Sequence, residues 1–378
     1  MLVDYTTNPY IIKRGFALRN LIIMIEALVY KKLKNGLVKC GICHRQCVIP
    51  EGKTGFCLAK KNNNGKLYAI NYGLIQGIHI DPIEKKPFYH FYPGELVPSL
   101  GSYGCNFHCR QCLNSWCSWG EHSVSLLRRA NDFSHYPASD PKRLIDSIIE
   151  SGYRGIAFTY NEPVIWPEYA LEVAKAAKAK NLFTLFVTNG SWTKKTLDII
   201  GPYIDAANID FKGFSEPTYQ KMGGLFKGIP DSARYAQEKH HIFIEITTLI
   251  IPGINDDFGE IKKMTRWIVK NLGKKTPWHL SQFEPLLAPD KQFRKIPATS
   301  IESLKAIADI GKNAGLEFVY IWAPSNGPGG LYSEGDTRCP RCRKLVVMRK
   351  GWRPELIGID ESGRCLFCGE EINIIFKT

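Results

Sequence analysis

The chain lacks a long apolar run. Its most apolar stretch, from residue 18 to residue 30, is interrupted by the charged residues Arg19 and Glu26, whereas a membrane-spanning helix needs about 20 mostly apolar residues. The N-terminus also lacks an uninterrupted apolar segment followed by a small-residue cleavage site, so a secretory signal peptide is not indicated. The sequence therefore predicts a cytoplasmic protein without a transmembrane segment.

Cysteine is absent from the long central stretch between Trp119 and Arg338, although the chain has twelve cysteines. They form three groups: Cys40, Cys43, Cys47 and Cys57; Cys105, Cys109, Cys112 and Cys117; and Cys339, Cys342, Cys365 and Cys368. A reducing cytoplasm keeps thiols from pairing, so clustered cysteines there point to metals rather than disulfides. This distribution predicts a central domain with a small metal-binding module at each end.

The rest of the composition is ordinary. The 378 residues are 44% hydrophobic and 23% charged, which excludes a disordered chain, a collagen-like fibre and a small disulfide scaffold. This length corresponds to two or three domains of roughly 100–200 residues each. The net charge of +14 favours contact with nucleic acid only weakly.

Strand and helix patterns alternate through the central region. The predicted strands are Val97–Gly101, Ile156–Tyr160, Leu182–Thr188, Ala206–Phe211, Ile242–Ile250, Trp278–Phe283 and Phe318–Trp322. The predicted helices are Pro141–Ser151, Trp166–Lys180, Lys194–Ile200, Asp256–Asn271 and Ser300–Asn313. Repeated strand–helix units predict an α/β fold with a parallel sheet. Six or seven units fit a partial barrel better than a closed barrel of eight.

The first 36 residues predict a helix. Apolar residues recur at helical spacing, at Leu18, Leu21, Ile22, Ile25, Leu28 and Val29. We expect this helix to pack on the body of the protein. An amphipathic anchor on a membrane surface is the alternative.

The central cysteines follow the first predicted strand as C-x3-C-x2-C, formed by Cys105, Cys109 and Cys112. Three thiolates hold three corners of a cubane iron–sulfur cluster and leave the fourth iron open. The alternative is a zinc site in which His108 is the fourth ligand. Cys117 is predicted to be an ordinary thiol, with a part in substrate chemistry as the alternative.

Polar residues follow the next three strands, where ligands bind in folds of this kind. They are Asn161 and Glu162 after the second strand, Asn189 after the third, and Asp210 and Lys212 after the fourth. Other interpretations are a surface salt bridge for Glu162 and a structural ion pair for Asp210 and Lys212.

With these motifs in this order, residues 95–323 resemble the radical SAM superfamily, whose fold is a partial (β/α)6 barrel. The resemblance implies a [4Fe-4S] cluster on the three cysteines that reductively cleaves S-adenosylmethionine (SAM). The resulting 5′-deoxyadenosyl radical would abstract hydrogen from an unknown substrate, with electrons from a donor such as ferredoxin or flavodoxin. Asn161 and Glu162 would hold the methionine end of SAM. Asn189, Asp210 and Lys212 would line the cofactor or substrate cavity. Gln111 departs from the family pattern, which has an aromatic residue there near the adenine.

Residues 37–323 are more specifically similar to the AmmeMemoRadiSam system radical SAM enzymes, which look like pyruvate formate-lyase activating enzymes. The similarity rests on Cys40–Cys47, Gly55–Cys57, Gly65–Tyr68, Tyr72–Gly73, Asp81–Pro87, His90–Gly94 and Trp278–Leu280. It implies protein partners from that system. Three alternatives remain open: a glycyl radical enzyme activase, an RNA-modifying radical SAM enzyme, and a non-catalytic zinc-ribbon binding protein.

The flanking cysteines predict metal sites. Cys339 and Cys342 form one C-x2-C pair, and Cys365 and Cys368 form a second pair 22 residues further on. This pattern suits a zinc ribbon or rubredoxin-like iron. A redox-active disulfide, or delivery of electrons to the central cluster, is the alternative.

The early group, C-x2-C-x3-C-x9-C, predicts structural zinc or an auxiliary iron–sulfur cluster, with His44 able to replace one ligand. The predicted organisation is a helical lead (1–36), an N-terminal cysteine-rich module (37–95), the partial barrel (96–325) and a C-terminal module (326–378).

Overall fold

The computed structural model describes residues 25–130, 139–324 and 332–376. The strands before the barrel are β1 (Ile25–Glu26), β2 (Tyr30–Lys32), β3 (Val38–Cys40), β4 (Val48–Ile49), β5 (Lys60–Asn63), β6 (Lys66–Ala69) and β7 (Gly77–Pro82). Those of the barrel are β8 (Leu96–Gly101), β9 (Gly155–Phe158), β10 (Phe183–Thr188), β11 (Ala206–Asp210), β12 (Phe243–Ile250), β13 (Trp278–Gln282) and β14 (Val319–Ala323). Those after it are β15 (Tyr332–Glu334), β16 (Thr337–Arg338), β17 (Leu345–Lys350) and β18 (Arg353–Leu356).

The helices lie between the barrel strands. They are α1 (Ser115–Ser118), α2 (Glu121–Ala130), α3 (Pro141–Glu150), α4 (Pro167–Lys178), α5 (Lys194–Ile200), α6 (Glu216–Met222), α7 (Ile229–His240), α8 (Phe258–Asn271) and α9 (Ile301–Asn313). Short 3-10 turns occur at Ile83–Lys85, Pro163–Ile165, Gly201–Tyr203, Pro285–Leu287 and Phe293–Lys295. Among the described helices, none is both long enough and apolar enough to cross a bilayer.

The main sheet has nine strands in the order β15-β14-β13-β12-β11-β10-β9-β8-β7. The strands from β8 to β14 pair in parallel, and β7 and β15 pair antiparallel at the two edges. Because the crossover helices cover the sheet, the parallel strands are almost entirely buried, and most of their residues are apolar. The predicted α/β fold with a parallel sheet is confirmed, and each predicted strand overlaps an observed one.

Local sequence explains where the helices begin. Asp140 caps α3, since its carboxylate accepts hydrogen bonds from the backbone N–H groups of Lys142 and Arg143, and Pro141 occupies the first helical position. Four helices, α1, α2, α6 and α7, were not predicted. Gly228, with φ +80°, and Pro230 interrupt the apolar pattern at the start of α7, and such residues are also typical of loops.

The predicted N-terminal helix lies partly outside the described residues, which begin at residue 25. For residues 25–36 the prediction is wrong. There β1 pairs with β6 and β2 pairs with β3, and the backbone N–H of Leu28 donates to Glu168 on α4 at 3.1 Å. These tertiary partners for the backbone outweigh the weak helical preference of a short amphipathic segment.

The C-terminal module docks at the amino ends of the parallel strands. The side chain of Asn373 donates to the carbonyl of Lys275, just before β13, at 3.2 Å, and Ile375 forms an isolated bridge with Phe91. The cysteine loop that follows β8 lies at the opposite, carboxyl ends. Since strands of five or six residues span roughly 17–20 Å, this placement argues against the alternative that the C-terminal site delivers electrons to the central cluster.

The hairpin of β17 and β18 contacts strands near both edges of the main sheet. At its turn, Trp352 stacks on Trp322 of β14 with ring centroids 5.1 Å apart, and the ammonium of Lys85, just after β7, lies 5.6 Å from the Trp352 ring. The hairpin therefore connects the first and last parts of the barrel.

Candidate active site at the carboxyl ends of the strands

The loop carrying Cys105, Cys109 and Cys112 is fixed by Asn161. The Oδ1 of Asn161 accepts the backbone N–H of Ser102 at 2.9 Å, and its Nδ2 donates to the carbonyl of Gly104 at 2.9 Å. Gly104 has φ +98°, and a Cβ there would lie 2.6 Å from the carbonyl oxygen of Cys57. A glycine is therefore required where the loop passes between the end of β9 and the N-terminal module.

The three thiols lie in a poorly solvated place. Cys109 is buried, and Cys105 and Cys112 are half-buried. Burial raises the pKa of Cys109 to about 12, although the nearby ammonium of Lys212 acts in the opposite direction. Burial likewise raises the pKa of Cys112, again against Lys212. Thiolates here need a bound cation, because an unpaired charge is costly to bury.

Glu162 is buried at the end of β9 and connects to the end of β10. Its carboxylate accepts the hydroxyl of Thr188 at 2.6 Å and the backbone N–H groups of Asn189 and Val164 at 2.7 and 2.9 Å. Burial raises the pKa of Glu162 to about 7, although these hydrogen bonds oppose the shift. A carboxylate has about four acceptor positions, so roughly one remains for a ligand.

Asp210, the last residue of β11, forms an ion pair with Lys212, with Oδ2 and Nζ 3.1 Å apart. The backbone of Lys212 is held by the hydroxyl of Tyr219 and the amide of Asn255. Burial lowers the pKa of Lys212, but the negative charge of Asp210 outweighs it and raises the pKa above its usual range. Lys212 thus stays charged beside Cys109.

The two predicted asparagines form hydrogen bonds with the scaffold. The Nδ2 of Asn189 donates to Oδ1 of Asn106 at 2.8 Å, and its Oδ1 accepts the N–H of Ser191 at 3.0 Å. The side chain of Asn161 is similarly occupied by the loop. All five predicted lining residues lie at this end of the sheet, and the side chains of Asn161 and Asn189 each use one donor and one acceptor to hold the loop. An amide has two donors and two acceptor positions, so their predicted role in binding the cofactor stays a prediction, as it does for Glu162, Asp210 and Lys212.

A cluster around Tyr160 was not assigned a role from the sequence. Tyr160 has φ +73°, which is rare for a bulky residue and marks a functional or strained position. Its hydroxyl donates to Asp81 at 2.8 Å, and the ammonium of Lys86 lies 2.7 Å from the same carboxylate. Burial would raise the pKa of Asp81, but Lys86 and Lys85 hold it well below its usual range. The charged run Asp81–Lys86 was the available signal in the sequence.

Several buried polar atoms at this end of the sheet have no hydrogen-bond partner among the described residues. They are Oγ of Ser102, Oε1 of Gln111 and Oγ1 of Thr247. Thr247 pairs in register with Asp210, so these atoms belong to the same end of the sheet as the cysteine loop. Buried polar atoms normally have partners, and the residues present therefore fit a bound polar cofactor.

The C-terminal cysteines come together as a compact site. The Sγ atoms of Cys339 and Cys368 lie 3.6 Å apart, and those of Cys342 and Cys365 lie 3.7 Å apart. Metal–sulfur bonds of about 2.3 Å in a tetrahedron place sulfurs about 3.8 Å apart. Among the described residues, these four form the only set of three or more His, Cys, Asp or Glu whose ligand atoms all lie within 4.8 Å of one another.

The two histidines considered as ligands have other partners. His108 stacks on Phe56 with ring centroids 4.2 Å apart, and it does not converge with the cysteines of its loop within 4.8 Å in the described part of the chain. Nε2 of His44 bonds the hydroxyl of Ser232 at 2.8 Å. Cys117 is buried, and its thiol donates to the carbonyl of Asn114 at 3.3 Å.

Comparison with known proteins found a matching family model and several relatives. The model of the Radical SAM superfamily matches residues 100–268. An uncharacterised protein of Methanocaldococcus jannaschii is 35% identical over 354 residues, which cover 93% of this chain and 100% of that protein. The pyruvate formate-lyase-activating enzyme of Clostridium pasteurianum is 23% identical over 217 residues, 54% of this chain and 85% of the enzyme. A crystal structure of a domain of pyruvate-formate lyase-activating enzyme from Bacteroides vulgatus aligns with a TM-score of 0.38 and 20% identity, covering 44% of this chain and 98% of that domain.

The chain belongs to the radical SAM superfamily. Membership implies a [4Fe-4S] cluster and SAM as cofactors, and it indicates an enzyme.

Proposed function

We propose that the protein is a radical SAM enzyme of the AmmeMemoRadiSam type, similar to pyruvate formate-lyase activating enzymes, acting on a substrate not yet identified. The observation that carries this proposal is the placement of Cys105, Cys109 and Cys112 on one partly buried loop, close to the side chains of Glu162 and Lys212. When bound there, the [4Fe-4S] cluster supplies an electron that cleaves SAM to the radical which abstracts hydrogen from the substrate.

The residues around the loop have separate roles in this proposal. The remaining acceptor position of Glu162 would receive the amino group of SAM. The ammonium of Lys212 would offset the negative charge of the thiolates. Asn161 acts as a positioning residue, because its amide holds both Ser102 and Gly104 of the loop.

Two further parts of the proposal concern groups outside this site. An external one-electron donor such as ferredoxin or flavodoxin would reduce the cluster, and proteins of the same system would be its partners. The C-terminal cysteines would hold zinc with a structural role, which their sulfur–sulfur distances support.

Electron paramagnetic resonance of the anaerobically reconstituted and reduced protein, with and without SAM, tests the proposal. We expect a cluster signal that changes when SAM is added. Glu162→Gln should keep the cluster but weaken SAM binding about 10- to 100-fold, the effect of losing a hydrogen bond to a charged group. Glu172→Gln, an exposed substitution on α4, is the matched control. Zinc alone, with no iron signal, would overturn the proposal and favour a zinc-binding protein.

A further inference from the structure

The early cysteine group lies directly against the loop of the central cysteines. Cys43 forms an isolated bridge with Trp192 at the carboxyl end of β10, and the backbone N–H of His44 donates to the carbonyl of Ser191 at 2.9 Å. The carbonyl oxygen of Cys57 lies against Gly104, where an added Cβ would be 2.6 Å from it. These contacts place the early group at the reactive end of the sheet, whereas the C-terminal group lies at the other end.

The backbone gathers the four early cysteines into one module. The N–H of Cys40, at the end of β3, donates to the carbonyl of Cys47 at 2.9 Å. The N–H of Gln46 donates to the carbonyl of Cys43 at 3.1 Å and closes a tight turn. A Cβ on Gly55 would lie 3.8 Å from Sγ of Cys47, so the chain leading to Cys57 returns to the same place.

The thiols of this module also influence one another. Burial raises the pKa of Cys57 to about 12, and the neighbouring Cys43 and Cys47 contribute in the same direction. Burial raises the pKa of Cys40 as well, with contributions from Cys43 and Cys57. Cys40 and Cys43 are buried, and Cys47 and Cys57 are half-buried. Four thiols that the backbone gathers in one module are a donor set for a cation.

The spacing of the sulfurs distinguishes the early group from the C-terminal group. The C-terminal thiols converge to the distances of a single tetrahedral ion. Within the described residues, neither the early group nor Cys105, Cys109 and Cys112 gathers three thiols inside 4.8 Å. Thiolates that ligate different irons of a cluster are held further apart than thiolates on one ion, so the early group resembles the cluster loop in this respect.

One side chain joins the early group to the cluster loop. Oδ1 of Asn106 lies 3.9 Å from Sγ of Cys105. Burial raises the pKa of Cys43, against the effect of a hydrogen bond from the same Asn106 side chain. Arg45 donates a hydrogen bond to the carbonyl of Asn106, and Nδ2 of Asn106 donates one to the hydroxyl of Ser191. These bonds fix Asn106 between the thiols of Cys43 and Cys105.

We propose that Cys40, Cys43, Cys47 and Cys57 bind a second iron–sulfur cluster, which adjoins the central cysteine site through Asn106. One electron from an external one-electron carrier protein reduces this cluster, and the same electron passes on to the cluster of the central loop. The carrier is oxidised by one electron, and the second cluster returns to its starting state. The electron transfer rests on the proposed function, whereas the binding of iron by the early group does not.

Iron, acid-labile sulfide and zinc in the anaerobically reconstituted full chain test this proposal. The double variant Cys40→Ser/Cys57→Ser should lose about two to four iron atoms per chain relative to the wild type and keep its zinc content. Cys117→Ser, a matched control for loss of a buried thiol, should keep all its iron. Unchanged iron in the double variant, or loss of one zinc instead, would overturn the proposal.

A second variant separates this outcome from misfolding. Replacing Cys105, Cys109 and Cys112 with alanine leaves the early group intact, and we expect this variant to retain iron–sulfur absorption and a reduced cluster signal that SAM does not change. Absence of that absorption contradicts the second cluster. A different result would count against the proposed function only. In that result, the reduced cluster signal of the wild type does not change with SAM, while the triple alanine variant keeps its iron–sulfur absorption.

Discussion

The two flanking cysteine modules each have four cysteines, but they differ in place and in spacing. The N-terminal module contacts the loop of Cys105 at the carboxyl ends of the strands, and the C-terminal module covers the amino ends. Only the C-terminal thiols show, among the described residues, the spacing of a single tetrahedral ion. An equal number of cysteines therefore does not imply an equal role, because one module contacts the candidate active site and the other covers the opposite end of the barrel.

The modules are also attached by different chemistry. In the N-terminal module, Nζ of Lys60 lies 2.8 Å from the buried carboxylate of Glu168 on α4. In the C-terminal module, Arg349 donates to the carbonyl of Tyr89, which lies before the barrel, at 2.6 Å. The first contact is an ion pair, whereas the second has a neutral acceptor.

The largest expected effect concerns the C-terminal metal. Cys339→Ser should remove the bound ion and unfold residues 332–376, because metal binding of about 10 kcal/mol drives the folding of such small modules. Metal analysis and limited proteolysis measure this, and the SAM-responsive iron signal should persist because that site lies at the other end of the sheet. Loss of that signal together with the zinc would contradict the separation of the two ends.

The next effect concerns the N-terminal attachment. Lys60→Met should lower the free energy of unfolding by about 3–5 kcal/mol, because it leaves the carboxylate of Glu168 buried and unpaired. Chemical denaturation measures the change. Lys66→Met, on the exposed neighbouring strand, removes a long surface pair with Glu26 and should change stability by less than about 1 kcal/mol. Equal effects of the two substitutions would show that the Lys60 pair does not hold the module.

The smallest expected effect is a pH dependence of stability. It concerns Glu84, which lies near Arg349 of the C-terminal module. Burial raises the pKa of Glu84 to about 7 from 4.5, against the nearby Arg349. A raised carboxyl pKa favours the folded state at low pH, and this contribution is lost as the pH rises from about 4.5 through about 7.

Relative to Glu84→Gln, the wild type should therefore lose about 2–3 kcal/mol of stability between about pH 5 and about pH 8. Thermal denaturation of both proteins across this range is the measurement. Parallel pH profiles for the two would mean that Glu84 is solvated.

The sequence predicted the sheet well because its strands are covered on both faces. Their short, mostly apolar runs predicted all seven parallel strands, and the predicted helix Lys194–Ile200 matches the observed α5. The edge strand β7 was not predicted, since its partly exposed residues Gly77–Pro82 lack that pattern. Local sequence patterns do not predict secondary structure where the backbone hydrogen-bond partners come from other segments. This is the case for residues 25–36, where β1 pairs with β6 and β2 pairs with β3.

The candidate site was predictable in outline only. Parallel strands end at one edge, so residues after successive strands were expected to meet there. The pattern could not show that the amide of Asn161 is occupied by Ser102 and Gly104, which lie 59 and 57 residues away. It also gave no sign of the left-handed backbone of Tyr160, which depends on contacts with Asp81 and Lys86. The ligand roles of the cysteines remain predictions.

The stack of Trp352 on Trp322 has a consequence for the order of folding. The hairpin of β17 and β18 follows the barrel in the chain, so a ribosome releases it after the sheet that it covers. Domains generally fold from the N-terminal side during synthesis, which leaves the side chains of Trp322 and Tyr320 on β14 without their C-terminal neighbours until the hairpin is made. A nascent chain halted before residue 345 would thus present an apolar surface suited to a chaperone, and completion of the C-terminal module would end that dependence.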